Sequence, residues 1–148
     1  MIVPLTAACV AAAAARFDLA IDAMWALRMT EGGKVGAVTV NRGRDGGELS
    51  RDIGPFQIND RAWLDQLTAT WRRGSRRETY QLLKDNGCAN ALAGAEVFRM
   101  SLDQARGDYG VAVGLYNAPH SKAKAEVYRR RFLRVLQALK RREIGHES

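Results

Sequence analysis

Apolar residues recur along this chain at helical spacing, and the two-residue alternation of a half-buried strand is nearly absent. Residues 5–17 predict an Ala-rich first helix with Cys9 on its inner face. Residues 18–30 predict a second, apolar nearly all round through Ile21, Met24, Trp25 and Leu27, the pattern of a buried helix. Trp63, Leu64, Leu67 and Trp71 mark one face of a third over 60–71. Ser75 and Glu78 make a capping box, in which Ser75 bonds the Glu78 amide while Glu78 reaches back. The helix it opens is expected to stop at Asn86-Gly87 through a left-handed cap. A fifth helix runs from about 90 to 106 and stops at Gly107, and a short sixth covers 111–116. The last carries Tyr128, Phe132, Val135, Leu136 and Leu139 on one stripe, with Arg129, Arg130, Arg131 and Arg134 interleaved as a solvated basic face. Between the second and third helices, residues 32–47 hold six glycines. Val35, Val38 and Val40 suggest a short extended piece there, but no sheet. The predicted fold class is all-α. One domain is expected over residues 1–148, its core at about 5–140 and a polar tail at 141–148, since no repeat, linker or boundary shows.

Composition narrows the partners without choosing one. Twenty-three basic against sixteen acidic residues give a net charge of +7, which suits nucleic acid, a membrane surface or an acidic polymer. The longest apolar run is nine residues, 7–15, against the ~20 that cross a bilayer, so no membrane span is expected. Residues 1–15 have the apolar character of a signal-peptide core. No positive charge precedes them, however, and Arg16 and Asp18 follow at once, so they read as a first helix. Cys9 and Cys88 are either two reduced thiols or one disulfide, and spacing does not decide.

Candidate chemistry begins with exclusions. His120 and His146 are the only histidines, so a zinc site of paired His ligands is not expected, and no metal or cofactor is implied. There is no G-x-S-x-G elbow and no P-loop. One carboxylate stands out. Glu31 ends the most apolar helix, directly before Gly32-Gly33. The negative end of the helix dipole and desolvation by apolar neighbours both favour its protonated form, as a general acid requires. Two further segments carry amides and an aromatic. Asp52-Ile53-Gly54-Pro55-Phe56-Gln57-Ile58-Asn59 joins a turn to a helix start, and Gly114-Leu115-Tyr116-Asn117-Ala118-Pro119 ends a helix. Amide side chains offer both donors and an acceptor to sugar hydroxyls and N-acetyl groups, and a Tyr face stacks on a sugar ring. Each segment alone reads as packing.

Together, and in order, they resemble the soluble lytic transglycosylase domain family. The likeness rests on Thr30-Glu31-Gly32-Gly33, on Asp52 to Asn59, on Cys88-Ala89-Asn90-Ala91-Leu92-Ala93-Gly94-Ala95, and on Tyr116-Asn117-Ala118 followed by Tyr128. It covers about residues 5–140 and is nearest to the small single-domain members that serve conjugation, type III and type IV secretion, and pilus systems. The resemblance implies a goose-type-lysozyme-like helical fold and cleavage of peptidoglycan between N-acetylmuramic acid and N-acetylglucosamine. It also implies 1,6-anhydro products, a periplasmic location and a monomer, with glycan strands and possible secretion-machine components as partners. Glu31 takes the place of the single catalytic acid and base. Ser50, Gln57, Ile58, Asn59, Tyr116, Asn117 and Tyr128 take substrate-binding places, and Cys9 and Cys88 match a cysteine pair that suggests a disulfide. Pro55-Phe56 in place of Leu-Met, and Pro119 in place of Gly, depart from the family pattern, and the former alters the cleft wall. Arg42, Arg44 and Arg51 have no assigned role. A hydrolase on the same fold with Asp52 as second carboxylate, an idle peptidoglycan-docking part, and a basic DNA-binding module are the competing readings. The last leaves the Gln57 and Tyr116 segments unexplained, so no nucleic-acid partner is expected.

Overall fold

Asn59 and Ser75 start two helices by the same device. Each has extended backbone, and its side-chain oxygen accepts from the amide three residues on: Asn59 Oδ1 from Ala62 N at 3.0 Å, Ser75 Oγ from Glu78 N at 3.1 Å. Glu78 closes the expected box one residue early. Its Oε2 accepts from Gly74 N at 3.1 Å. At the other end, Gly107 stops its helix as expected, with φ +86° and its amide returning to Leu102 O at 2.9 Å.

The computed structural model describes residues 1–117 and 121–147, with side chains through residue 142. Ala118, Pro119 and His120, and the side chain of His146, lie outside the described residues. The order is α1 (Ala7–Arg16), α2 (Ile21–Glu31), β1 (Val38–Arg42), β2 (Glu48–Ile53), β3 (Ile58–Asn59), α3 (Asp60–Thr70), α4 (Arg76–Asp85), α5 (Gly87–Gln104), α6 (Tyr109–Asn117) and α7 (Lys122–Glu147). The chain is mostly helical. Among the described residues no helix is long and apolar enough to cross a membrane.

Two expectations are corrected. The Gly-rich region does hold a sheet: β1, β2 and β3 are antiparallel neighbours in that order, with Asn41 opposite Ser50 and Asp52 opposite Asn59. The β1–β2 hairpin turns where Gly43 N donates to Gly47 O at 2.8 Å and Asp45 Oδ1 accepts from Gly47 N at 2.9 Å. Apolar alternation is missing from β2 because Ser50 and Asp52 serve a hydrogen-bonding network there. Nor does Asn86-Gly87 form a left-handed cap. Asn86 is extended (φ −120°, ψ 106°) and pairs in parallel with Val3; Val3 N donates to Asp85 O and Gly87 N to Val3 O, each at 2.8 Å. A strand-like partner from the N-terminal segment overrides the local turn signal, and α5 starts at Gly87, three residues earlier than the periodicity predicts.

Chain contacts divide the molecule into two compact units. The first comprises residues 1–10 and 31–94. In it Asn90, wholly buried, accepts from Phe56 N at 2.8 Å and donates to Ile53 O at 2.8 Å and Leu83 O at 3.0 Å. Around it lie the buried Ile53, Phe56, Ile58, Leu64, Leu67 and Leu83. Cys9 and Cys88 are joined in a disulfide with Cα atoms 5.4 Å apart, which resolves the alternatives left by spacing. The second unit comprises residues 11–30 and 95–148. Its core centres on Phe98, whose ring meets Tyr109, Tyr116 and Phe132 at centroid distances of 5.9, 6.0 and 6.0 Å, the Tyr116 pair edge to face.

Asn90→Ala strands a buried amide and two carbonyls, so it is expected to lower unfolding free energy by about 3–4 kcal/mol, read as a fall in the urea midpoint. Reducing the Cys9–Cys88 bond, which spans 79 residues, should remove a further ~2–4 kcal/mol. An unchanged midpoint under reductant would show that the closed loop contributes nothing.

Candidate active site

The first unit brings together the end of α2, the small sheet and the turn between β2 and β3. Glu31 is the last residue of α2, and its Oε1 is buried from solvent. Gly32 follows at φ +67°, which turns the chain sharply away from the helix. Gly33 then lies against the Gly54–Gln57 turn. A Cβ on Gly33 would overlap the Gly54 carbonyl and the Gln57 side-chain nitrogen. The Gly-Gly pair after Glu31 therefore meets two needs, a left-handed turn and a close backbone approach.

Gln57 is held in an unusual conformation. Its φ is +52°, a region that costs a non-glycine residue roughly 1 kcal/mol. Its Nε2 donates back to Gly54 O at 2.9 Å, closing the turn with its own side chain and leaving Oε1 without a bonded donor among the described residues. Ile58 is 1% exposed and belongs to the core, and Phe56 beside it is wholly buried.

On the sheet, four polar residues form one hydrogen-bonded network. Asn41 Nδ2 donates to Ser50 Oγ and to Asp52 Oδ2, both at 3.0 Å. Asn59 Nδ2 donates to Ser50 Oγ at 3.1 Å and to Asp52 Oδ1 at 2.9 Å. Each amide nitrogen has two protons, so both are fully used, and both Asp52 oxygens accept. Ser50 Oγ already accepts twice, which leaves its hydroxyl proton as the one donor of the network with no acceptor among the described residues. The arrangement fixes Ser50 as a donor to whatever approaches.

Asn41 had no sequence signal pointing to a site, because an Asn beside a Gly-rich run reads as loop. The Val38-Thr39-Val40-Asn41 alternation, taken as a strand, would have placed it. Asp52 is the final polar residue of β2, not part of the following turn. Two arginines of this region, Arg42 and Arg51, are held by bonds to the hairpin and to α4. Arg42 Nη1 donates to Gly46 O at 3.1 Å, and Arg51 pairs with Glu48 and donates to Tyr80 Oη at 3.2 Å. The Arg51 guanidinium holds the Glu48 carboxyl below its ordinary range.

The second unit carries the other candidates. Tyr116 is buried on α6 against Phe98, and Asn117 Nδ2 donates to Val113 O at 3.3 Å at the end of that helix. Tyr128 lies on α7, half-buried. Arg28, on α2, is pushed below its ordinary value by burial. Among the described residues no three His, Cys, Asp or Glu side chains are grouped to hold a metal ion. No protein-family model, curated protein or solved structure matches the chain.

Gly33→Ala must move the backbone of the Gly54–Gln57 turn, so it is expected to destabilise by about 1–3 kcal/mol and to shift the Gln57 amide resonance. A neutral effect on both would show that the two segments do not meet.

Proposed function

We propose that this protein is a peptidoglycan lytic transglycosylase with a lysozyme-like helical fold, in which Glu31 acts first as acid and then as base. One observation supports the reading: Gly33, two residues after Glu31, packs directly against the Gly54–Gln57 turn, so two of the segments behind the family resemblance meet in space. The donor-committed Ser50 and the open Gln57 oxygen supply the complementary hydrogen bonds that an N-acetylated sugar needs, one donor and one acceptor.

Glu31 protonates the oxygen between N-acetylmuramic acid and N-acetylglucosamine. The neighbouring N-acetyl group steadies the oxocarbenium-like centre. The Glu31 carboxylate then takes the proton of the C6 hydroxyl, whose oxygen closes the 1,6-anhydro ring, and Glu31 returns to its starting state. A glycosidase that inverts or retains needs a second carboxylate to activate water or attack the sugar. Asp52 is the candidate: it accepts one amide proton at each oxygen, from Asn41 and Asn59, which holds it in place and leaves a lone pair on each. The products of digestion therefore decide between the two routes. Local opening of the cell wall for a secretion, conjugation or pilus apparatus, in the periplasm, is the setting this reading implies.

Digestion of purified sacculi tests it by mass spectrometry. Products should weigh one water less than hydrolysis products, and Glu31→Gln should cut turnover by at least ~10²–10⁴-fold while the fold survives. Reducing-end products would make the protein a hydrolase. Full activity in Glu31→Gln, with loss in Asp52→Asn, would transfer the catalytic role to Asp52.

A further inference from the structure

Nearly all of the net positive charge of this chain sits on one helix. α7 carries nine of the twenty-three basic residues and three of the sixteen acidic ones, which leaves the rest of the chain at fourteen against thirteen. On α7, Lys124, Arg131, Arg134, Arg141 and Arg142 fall at i, i+7, i+10, i+17 and i+18. At helical pitch they share about 100° of the circumference and spread over ~27 Å of its length. All five are exposed, and none has an ion-pair partner among the described residues. Glu126 is taken by Arg129 at 3.4 Å and Arg130 at 3.1 Å. Arg130 and Arg134 stand at i, i+4, a spacing at which like charges weaken a helix. The other side of α7 is anchored by Phe132, which is wholly buried. The cations thus raise the free energy of the unbound protein, and an extended anionic surface would offset that.

Composition of the face defines the surface. Ala123, Val127 and Ala138 are exposed between the cations, Val127 at 66%. Half-buried Tyr128 borders them, and with Ala123, Lys124, Val127 and Arg131 it lines an open groove of about 410 Å³. A lipid bilayer presents phosphates in a plane that a straight row of long cations can reach together. Just beneath lies an apolar boundary that can cover Val127 and the Tyr128 ring. Duplex nucleic acid presents phosphates and polar base edges, with no comparable apolar layer. The Cys9–Cys88 disulfide also suits an oxidising compartment, apart from the reducing space that holds nucleic acid. We propose that this face of α7 docks the protein on an anionic phospholipid bilayer, lying along the surface without crossing it. The assignment is independent of the catalytic reading.

Co-sedimentation of the full chain with vesicles tests it. The protein should bind vesicles of phosphatidylethanolamine with phosphatidylglycerol, and leave those of phosphatidylcholine alone. Binding should vanish at about 1 M salt, where charges are screened beyond ~3 Å. Each cation near such a surface contributes roughly fivefold. Arg131→Gln, Arg134→Gln, Arg141→Gln and Arg142→Gln combined should therefore weaken binding at least ~100-fold. Lys at the same four positions should restore it, which separates lost charge from lost fold. Neutralising Arg44, Arg72, Arg73 and Arg77, exposed cations outside α7, should leave binding within a fewfold of the parent. Equal binding to phosphatidylcholine, an unaffected α7 variant, or equal weakening by the two sets of substitutions would overturn the proposal. So would α7-dependent binding of duplex DNA or purified sacculi when the anionic vesicles are not bound.

Discussion

The buried amide of Asn90 is the contact on which the first unit depends. The turn from Gly54 to Gln57 enters the core, and buried backbone groups there must find partners. Asn90 supplies them in one group: an oxygen for Phe56 N and two protons for Ile53 O and Leu83 O. No other side chain of this length offers two donors and an acceptor, and an aspartate would set charge against two carbonyls. Other choices follow from that one. Gly54 takes φ +68° and has no Cβ because the Asn90 amide occupies that space. Pro55 brings no N–H to satisfy. Gly94, one turn further along α5, is bare because a Cβ would run into the Phe56 ring. Asn90 and Gly94, which read in sequence as family marks, are a packing solution for the turn that aims Gln57.

Gln57 shows why the turn must be held so firmly. Its left-handed backbone is tolerated because the structure on both sides fixes it: β3 follows directly, and the Nε2 bond to Gly54 O closes the turn itself. Glycine would adopt the same φ without strain, but would not supply the closing bond. Strain at one residue, supported by a buried amide, is what the proposed role of Gln57 in holding substrate requires.

Helices were legible from the sequence because their apolar stripes follow core burial, as Leu64 and Leu67 on α3 and Phe132 on α7 illustrate. The sheet was not, because its strands are five, six and two residues long and β2 places Ser50 and Asp52 where an alternating strand would carry apolar groups. The start of α5 was misplaced for a different reason: Val3 completes the backbone bonding of Asp85 and Gly87, on either side of Asn86, from far away in the chain and beyond any local signal. Within the site, Ser50, Gln57 and Asn59 could be picked out by motif. Asn41, which donates to Ser50 and Asp52 as Asn59 does, could not, because its role exists only once β1 lies beside β2.

The geometry of that network bears on the reaction proposed. An amide pair that donates all four protons to Ser50 and Asp52 locks the carboxylate in place. Each Asp52 oxygen accepts one amide proton and keeps a further lone pair, so these bonds alone do not choose between hydrolysis and ring closure. Ring closure draws its advantage from the substrate. The C6 hydroxyl arrives covalently tethered beside the sugar cation, where effective molarities of ~10⁵–10⁸ M exceed the concentration of any solvent. On the proposed reading Glu31 serves that hydroxyl, and Asp52 contributes by holding Ser50 in position.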